Sequence, residues 1–366
     1  MKKSLVALAV LSAVAGLASA QSNVTIYGLL DMGLDYDSGK TGTAATGSTT
    51  KWAVNSGQTS GSRLGFLGKE DLGDGLSAIF TLESGINVDD GTLGFGNRLF
   101  GRQSWVGLQG KSGSIKFGRQ LSTMFFALQT LDPFTANSAG DAERAYGYGL
   151  GKIDPILRAD NSVTYETPNI SGFTGTAGYG FGEQPGQFNK FSTKFAGANY
   201  VKGPLTLVAA YQQTDGMSFA PSSTPTAALD AIVVASGLAP TSTTSATVKN
   251  SIFGATYDLG NVKVRAGYGK TTAQAVGDLN IRNYLIGVSA PAGTGKVLAS
   301  WNRTNVTDVS GGVSDQYAVG YSYPLSKRTN LYTLIAYTKN GSGVRANAWA
   351  NGVSDRDVQS GIKYTF

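Results

Sequence analysis

Val262-Lys263-Val264-Arg265-Ala266-Gly267-Tyr268-Gly269 alternates with a period of two. Val262, Val264, Ala266 and Tyr268 fall on one side, and Lys263, Arg265, Gly267 and Gly269 on the other. Successive side chains of a β-strand point to opposite faces, so the octet reads as a strand with one apolar face and one face of charge and glycine. The same division recurs toward both ends of the chain. Val24, Ile26, Leu30, Met32, Leu34 and Tyr36 oppose Thr25, Asp31, Gly33 and Asp35. Tyr317, Val319, Tyr321 and Tyr323 oppose Ala318, Gly320 and Ser322, and Val358, Ile362, Tyr364 and Phe366 oppose Gln359, Gly361, Lys363 and Thr365.

Alternation alone fits two architectures. In a soluble sandwich the apolar face is a core; in a membrane barrel it faces lipid around a polar lumen. Three features favour the barrel. The segments run ~9–11 residues, enough for a tilted strand to cross a bilayer. Tyr and Phe gather at segment ends, where interfacial girdles sit. Short and long connections also alternate. The short ones are 70–75, 110–113, 169–172, 202–204, 258–261, 291–295 and 324–329, all rich in turn residues. The long ones fall near 37–60, 88–97, 120–157, 183–190, 215–247, 272–280, 307–314 and 340–355. Seven turns and eight loops join sixteen strands, an even number whose first and last members can pair antiparallel. Leu99–Gln109 and Leu331–Lys339 have mixed faces.

Composition removes whole classes of chemistry. The 366 residues contain no Cys and no His, which excludes disulfides, thiolate or imidazole metal sites, and His-based catalysis. An enzyme and a bound cofactor are not expected. Glycine, at 50 residues, is about twice as common as usual, and charged residues are only 15%. The net charge is +6, but the basic residues form no stripe with interleaved aromatics, so nucleic acid is not an expected partner.

Residues 1–20 carry an export leader pattern. Lys2 and Lys3 precede the apolar run Leu5 to Gly16, and Ala18-Ser19-Ala20 forms a cleavage signal. The expected barrel domain is therefore 21–366. The most apolar internal stretch, Ala227 to Ala239, includes Asp230 and is too short to span a bilayer as a helix. An exported chain without such a helix enters a membrane only as a closed barrel.

Six motifs in order carry a family resemblance. They are Val24-Thr25-Ile26-Tyr27-Gly28 with Asp31; Ser62-Arg63-Leu64-Gly65-Phe66 with Glu70-Asp71-Leu72-Gly73; Gly118-Arg119-Gln120; Asn161-Ser162-Val163 with Tyr165-Glu166-Thr167-Pro168; Tyr323-Pro324-Leu325-Ser326-Lys327-Arg328-Thr329; and the terminal Phe366. Together they resemble the general trimeric porins of Gram-negative outer membranes, especially the β-proteobacterial branch. The resemblance implies an all-β, sixteen-stranded antiparallel transmembrane barrel whose third loop, 120–157, folds into the lumen. It implies a homotrimer in contact with lipid and lipopolysaccharide, through which small hydrophilic solutes and ions diffuse.

It also implies site residues. Arg63, Arg102 and Arg158 match the family's basic cluster on the wall opposite the loop. Asp132, Asp141 and Glu143 lie along the loop and are candidates for an acidic half facing them. The loop lacks the Pro-Glu-Phe-Gly-Gly stretch of enterobacterial relatives. Glu83, on the polar phase of its strand, is a candidate to hold an arginine, and Lys116 falls on a polar phase too. Phe366 matches the family's assembly signal. The cationic surplus points to anion preference. Alternatives are a substrate-specific channel of the same fold, a non-conducting barrel adhesin and a soluble β-sandwich.

Overall fold

The computed structural model describes residues 23–135, 138–145, 154–219, 244–274, 279–307 and 309–366. The leader pattern at 1–20 lies outside them, as does most of the 215–247 connection.

Seventeen strand segments form one antiparallel sheet. They are β1 (Asn23–Thr43), β2 (Gly47–Ser56), β3 (Arg63–Gly73), β4 (Leu76–Gly85), β5 (Gln103–Gly110), β6 (Gly113–Leu121), β7 (Arg158–Glu166), β8 (Phe173–Gly180), β9 (Thr193–Lys202), β10 (Leu205–Phe219), β11 (Thr244–Asp258), β12 (Lys263–Gln274), β13 (Leu279–Ala292), β14 (Gly295–Val306), β15 (Val313–Pro324), β16 (Thr329–Asn340) and β17 (Asp355–Thr365). Apart from β2 and β3, which do not pair with each other, chain neighbours pair throughout, and β1 pairs with β17 from Leu29–Thr365 to Asp37–Asp357, which closes the sheet. β2 and β3 are two halves of one wall strand. The first half of β1 pairs with β3 and the second half with β2. The barrel thus has sixteen wall strands.

The break between β2 and β3 is organised by Asp31, which is fully buried. Its Oδ2 accepts from Thr59 N, Thr59 Oγ1 and Ser60 N at 2.9, 2.6 and 2.8 Å. Its Oδ1 accepts from Tyr332 Oη at 2.5 Å. A buried carboxylate is stable only when so surrounded. Here it fixes the six-residue connection and with it the position of Arg63, the first residue of β3.

The outer phase of the strands carries Ile26, Leu34, Val106, Phe253, Ile286, Val319 and Ile335, all more than half exposed. A continuous apolar exterior of this kind is the lipid-facing band of a transmembrane barrel. The inner phase is polar, with Gln212, Asn250, Asn283, Asn302, Gln316 and Gln359 buried.

The seven short turns fall where the sequence puts them. One connection differs. Residues 37–60 read as a loop, yet β1 runs on to Thr43 and β2 returns from Gly47, with Thr41–Thr49 and Thr43–Gly47 paired. Threonine holds this extension: Thr41 Oγ1 meets Thr49 Oγ1 at 2.8 Å. β-Branched residues favour strands without supplying an apolar face to read.

The mixed faces also have a cause. In β16, Leu331 and Ile335 are exposed, whereas Leu334 and Ala336 are buried against Phe134 and Ala139 from the long third connection. That connection contains α1 (Thr123–Leu131), α2 (Ala142–Ala145) and α3 (Asp154–Leu157). Leu128 and Leu131 of α1 join a second apolar cluster with Val208, Ile252 and Leu285 of the wall. Inward-facing apolar residues therefore mark where the connection packs.

The closing seam ends at Phe366, whose backbone N donates to Gly28 O at 3.0 Å and whose O accepts from Gly28 N at 3.2 Å. A Cβ on Gly28 would stand 2.5 Å from Phe366 Cζ and 2.5 Å from Arg63 O. Gly28→Val is therefore expected to weaken closure by about 1–3 kcal/mol, the usual range for overpacking. The share of protein that migrates as folded, heat-modifiable barrel on an unheated gel should fall; an unchanged share would mean that the seam tolerates the branch.

Candidate functional site

The wall formed by β1 and β3–β7 carries a charged cluster that begins at Glu83. Glu83 is on β4, paired with Gly65 of β3 on one side and Gln103 of β5 on the other. Its Oε1 accepts from Arg102 Nε at 2.7 Å, and both side chains are only 4% exposed. Its Oε2 accepts from Tyr27 Oη at 2.8 Å and lies 4.0 Å from Arg63 Nη1. Gly65 makes the Tyr27 reach possible: a Cβ there would stand 2.3 Å from the tyrosine ring. Arg63 keeps 21% of its side chain exposed, so of the two arginines around Glu83 it is the one presented to solvent.

Arg158 joins from β7. Its Nε donates to the Arg102 backbone O at 3.0 Å, which ties the Arg158 side chain to the start of β5. Phe95 provides a face for both. The Arg158 Cζ lies 4.3 Å from the Phe95 centroid, and the Arg102 Cζ 5.6 Å. Such cation–π contacts stabilise a desolvated cation by ~2 kcal/mol. Phe95 has φ 56° and ψ 45°, within a turn in which Gly96 and Asn97 are also left-handed. A bulky residue in that region is strained. Gly85 and Gly101 leave the space for its ring, since a Cβ on either would come within 2.7 Å of Phe95 atoms. Phe95→Ala is expected to cost about 2 kcal/mol, less than a full core truncation because the ring is half-buried; the left-handed backbone strain stays, since alanine keeps the Cβ. A fall in the guanidinium unfolding midpoint in detergent micelles is the check; a midpoint equal to wild type would show that the ring does not hold the arginines.

A second cluster lies beside the first. Asp160 accepts from Arg119 Nη1 at 2.5 Å and from Arg98 Nη1 at 2.9 Å. Strict alternation puts Arg158 and Asp160 on one face, but they belong to different clusters. The β6–β7 register shifts between Gly118 and Gln120, where Gly118 has φ 130° and Asn161 φ 50°. A bulge breaks the period of two and re-aims the side chains beyond it.

Lys116 is apart from the arginines. Its Nζ lies 3.3 Å from Glu166 Oε2 and 5.4 Å from the Trp105 ring centroid. The loop acids are built into the third connection. Asp132 is fully buried, with Oδ1 accepting from Phe134 N and Oδ2 from Ala142 N, each at 2.9 Å. Asp141 is 2% exposed, and its backbone N donates to Ser138 O at 3.1 Å. Glu143 is half-buried in α2.

The described residues of the third connection are pinned at several points. Ser122 caps α1, accepting from Phe125 N at 3.3 Å, and its hydroxyl donates to Ile156 O at 2.6 Å. Thr256 Oγ1 donates to Thr130 O at 3.1 Å, Ser300 Oγ to Gly140 O at 3.1 Å, and Gln316 Nε2 to Ala139 O at 2.9 Å. Gly287 and Gly320 provide seats: a Cβ there would stand 2.6 Å from Pro133 and 2.9 Å from Phe134.

The sequence reading names Arg63, Glu83, Arg102 and Arg158, which the structure brings together. It misses Phe95, whose only signal is the flanking Gly85 and Gly101, and Tyr27, whose signal is Gly65 opposite it. Arg119 and Asp160 are hidden by the bulge, and Arg98 by its place on the β4–β5 connection, outside any strand pattern. Among the described residues, one group of acids sits close enough for a metal: Asp37, Asp355 and Asp357, all buried. The Lys40 ammonium supplies a cation there, 2.8 Å from Asp37 and paired with Asp357.

Comparison with known proteins agrees with the barrel. Residues 7–343 match the family model described as Gram-negative porin. The chain is 34% identical to an outer membrane porin protein of Bordetella pertussis, over 93% of this chain and 95% of that one. It is 33% identical to outer membrane porin protein 32 of Delftia acidovorans over the full length of both. Among solved structures, the anion-selective porin from Comamonas acidovorans superposes with a TM-score of 0.75 at 28% identity, covering 94% of this chain and all of that one. The chain belongs to the Gram-negative porins, outer-membrane barrels that act as diffusion channels and perform no catalysis on what they pass.

Proposed function

We propose that this porin is an anion-leaning channel for small hydrophilic solutes, working as a homotrimer embedded among lipid and lipopolysaccharide. Its third connection, 120–157, lies within the lumen and narrows it. The constriction runs between that connection and the arginine wall.

The pairing of Arg63 and Arg102 with one carboxylate, Glu83, with Arg158 tied to the Arg102 backbone and seated on Phe95, carries the reading. Fixed charge in a narrow, partly low-dielectric passage raises the local concentration of counter-ions and lowers that of co-ions. Arg63 supplies the accessible charge. Arg102 and Arg158 stand behind it, held by Glu83 and Phe95. The net charge, +6 over the whole chain less the two leader lysines Lys2 and Lys3, or +4 for 21–366, and the anion-selective relative from Comamonas acidovorans support the same sign. The loop contacts with Thr256, Ser300 and Gln316 on the inner phase support its inward course.

The test is the zero-current potential of the purified protein in a planar bilayer under a potassium chloride gradient. A chloride-favouring sign with conductance in steps of three is expected. A potassium-favouring sign would overturn the anion reading and mean that carboxylates dominate the constriction.

A further inference from the structure

A cavity of about 540 Å³ lies between α1 and the wall strands β5–β10. Its lining is largely hydroxyl and amide, like the rest of the polar wall, but two aromatic rings stand among them. Trp105 of β5 borders it, on the same phase as Gln103 and opposite the exposed Val106 and Leu108. Phe126 of α1 borders it too and is 47% exposed. Aromatic surface left facing water inside a channel is unfavourable unless something apolar covers it. Lys116 and Glu166 complete the chemistry, with the ammonium beside both the carboxylate and the Trp105 ring.

The position matters as much as the lining. Arg102 and Arg158 stand at the long-loop ends of their wall strands, and Arg63, at the break between β2 and β3, is level with Gly85 at the long-loop end of β4, whereas Lys116 and Glu166 lie near the short turns. A solute that passes the arginines meets this cavity next. If the arginine wall admits anions, as proposed above and as this step assumes, the solute arrives carrying negative charge.

We infer that the cavity is a binding subsite for small carboxylates bearing an aromatic ring, of which benzoate is the simplest. The ring packs on Trp105 and Phe126 in an offset or edge-on arrangement. The carboxylate accepts from Lys116, whose ammonium has three donors and spends one on Glu166. Glu166 is 43% exposed, so its other oxygen stays solvated and repulsion between the two carboxylates is screened. An inorganic anion uses only Lys116 and passes; an aromatic carboxylate uses both features and lingers.

Single-channel recording in potassium chloride tests this, with benzoate added on the side of the long loops. Saturable block is expected at concentrations where acetate and benzylammonium leave the current unchanged. W105A and F126A are each expected to raise the half-blocking concentration about two- to tenfold, the worth of one aromatic contact. K116Q should raise it as well. If W105A does not assemble, W105L keeps apolar bulk without a ring face and serves instead. Benzoate no more effective than acetate would overturn the inference, as would block undiminished in both aromatic variants. The zero-current potential from the same recordings judges the anion reading separately. A potassium-favouring potential with ring-dependent block would retire that reading and keep the subsite.

Discussion

Glu83→Gln is expected to destabilise the barrel by about 3–5 kcal/mol, the cost of removing one partner from a buried ion pair. The substitution keeps the shape and one acceptor: the amide oxygen can accept from Arg102 Nε, and the amide nitrogen then donates to Tyr27 Oη in place of the bond that the carboxylate accepts from it. It removes the charge that offsets two guanidinium groups. Arg102 is 4% exposed and has no route to solvent that preserves the wall. Its desolvation, already met by Glu83 at 2.7 Å, becomes uncompensated. Arg63, with 21% exposure and a 4.0 Å separation, can turn outward and suffers less. The guanidinium unfolding midpoint in detergent micelles reads the effect. The double variant Glu83→Leu with Arg102→Met provides the internal control. Replacing a buried pair by apolar groups of similar volume is often close to neutral. The double variant should therefore recover most of what the single one loses. A single variant as stable as wild type would mean that Glu83 is not the anchor of the cluster.

The strands were legible because a barrel wall imposes one rule from end to end. Each must alternate between lipid and lumen, so Val262–Gly269 and Val358–Phe366 read correctly without knowledge of their neighbours. The short turns were legible because they depend on local backbone chemistry, as at Asp258-Leu259-Gly260-Asn261, where Gly260 has φ 91°. The features that escaped depend on contacts distant in sequence. Leu334 and Ala336 look misplaced until Phe134 and Ala139, some 200 residues earlier, are seen to cover them. The Thr41–Thr49 ladder stands beyond any apolar band and therefore carries no alternating signal. Parity counting puts Arg158 and Asp160 on one face because it assumes no bulge, and the positive φ at Asn161 breaks that assumption. Phe95 was invisible because nothing in a sequence announces a phenylalanine in left-handed backbone. The candidate site was thus half legible. The charges were found, while the ring and the tyrosine that hold them were not.

Arg63→Gln is expected to shift selectivity most among the arginine substitutions, although Arg102 lies closer to Glu83. The distinction rests on exposure. A charge changes permeation through the potential it sets in the water where ions pass. Arg102 is buried and compensated at 2.7 Å, so ions meet it largely cancelled. Arg63 is accessible and only loosely compensated at 4.0 Å. At a separation of about 6 Å in a water-like dielectric, one unit charge contributes ~0.7 kcal/mol, about a threefold bias on each ion. Removing it raises cations and lowers anions by that factor, so the permeability ratio moves by about tenfold toward cations. Salt supplies the second half of the test. The Debye length is ~10 Å at 0.1 M and ~3 Å at 1 M, so the shift should be large in dilute salt and shrink in concentrated salt. Arg102→Gln should behave in the opposite sense, with a small change in zero-current potential and a large fall in unfolding midpoint, because it leaves Glu83 buried without its nearest cation. Zero-current potentials at both salt concentrations, paired with unfolding midpoints, separate the two roles. If Arg102→Gln moved selectivity more than Arg63→Gln, the ion path would run past Arg102, and the order of the two arginines in the constriction would have to be reversed.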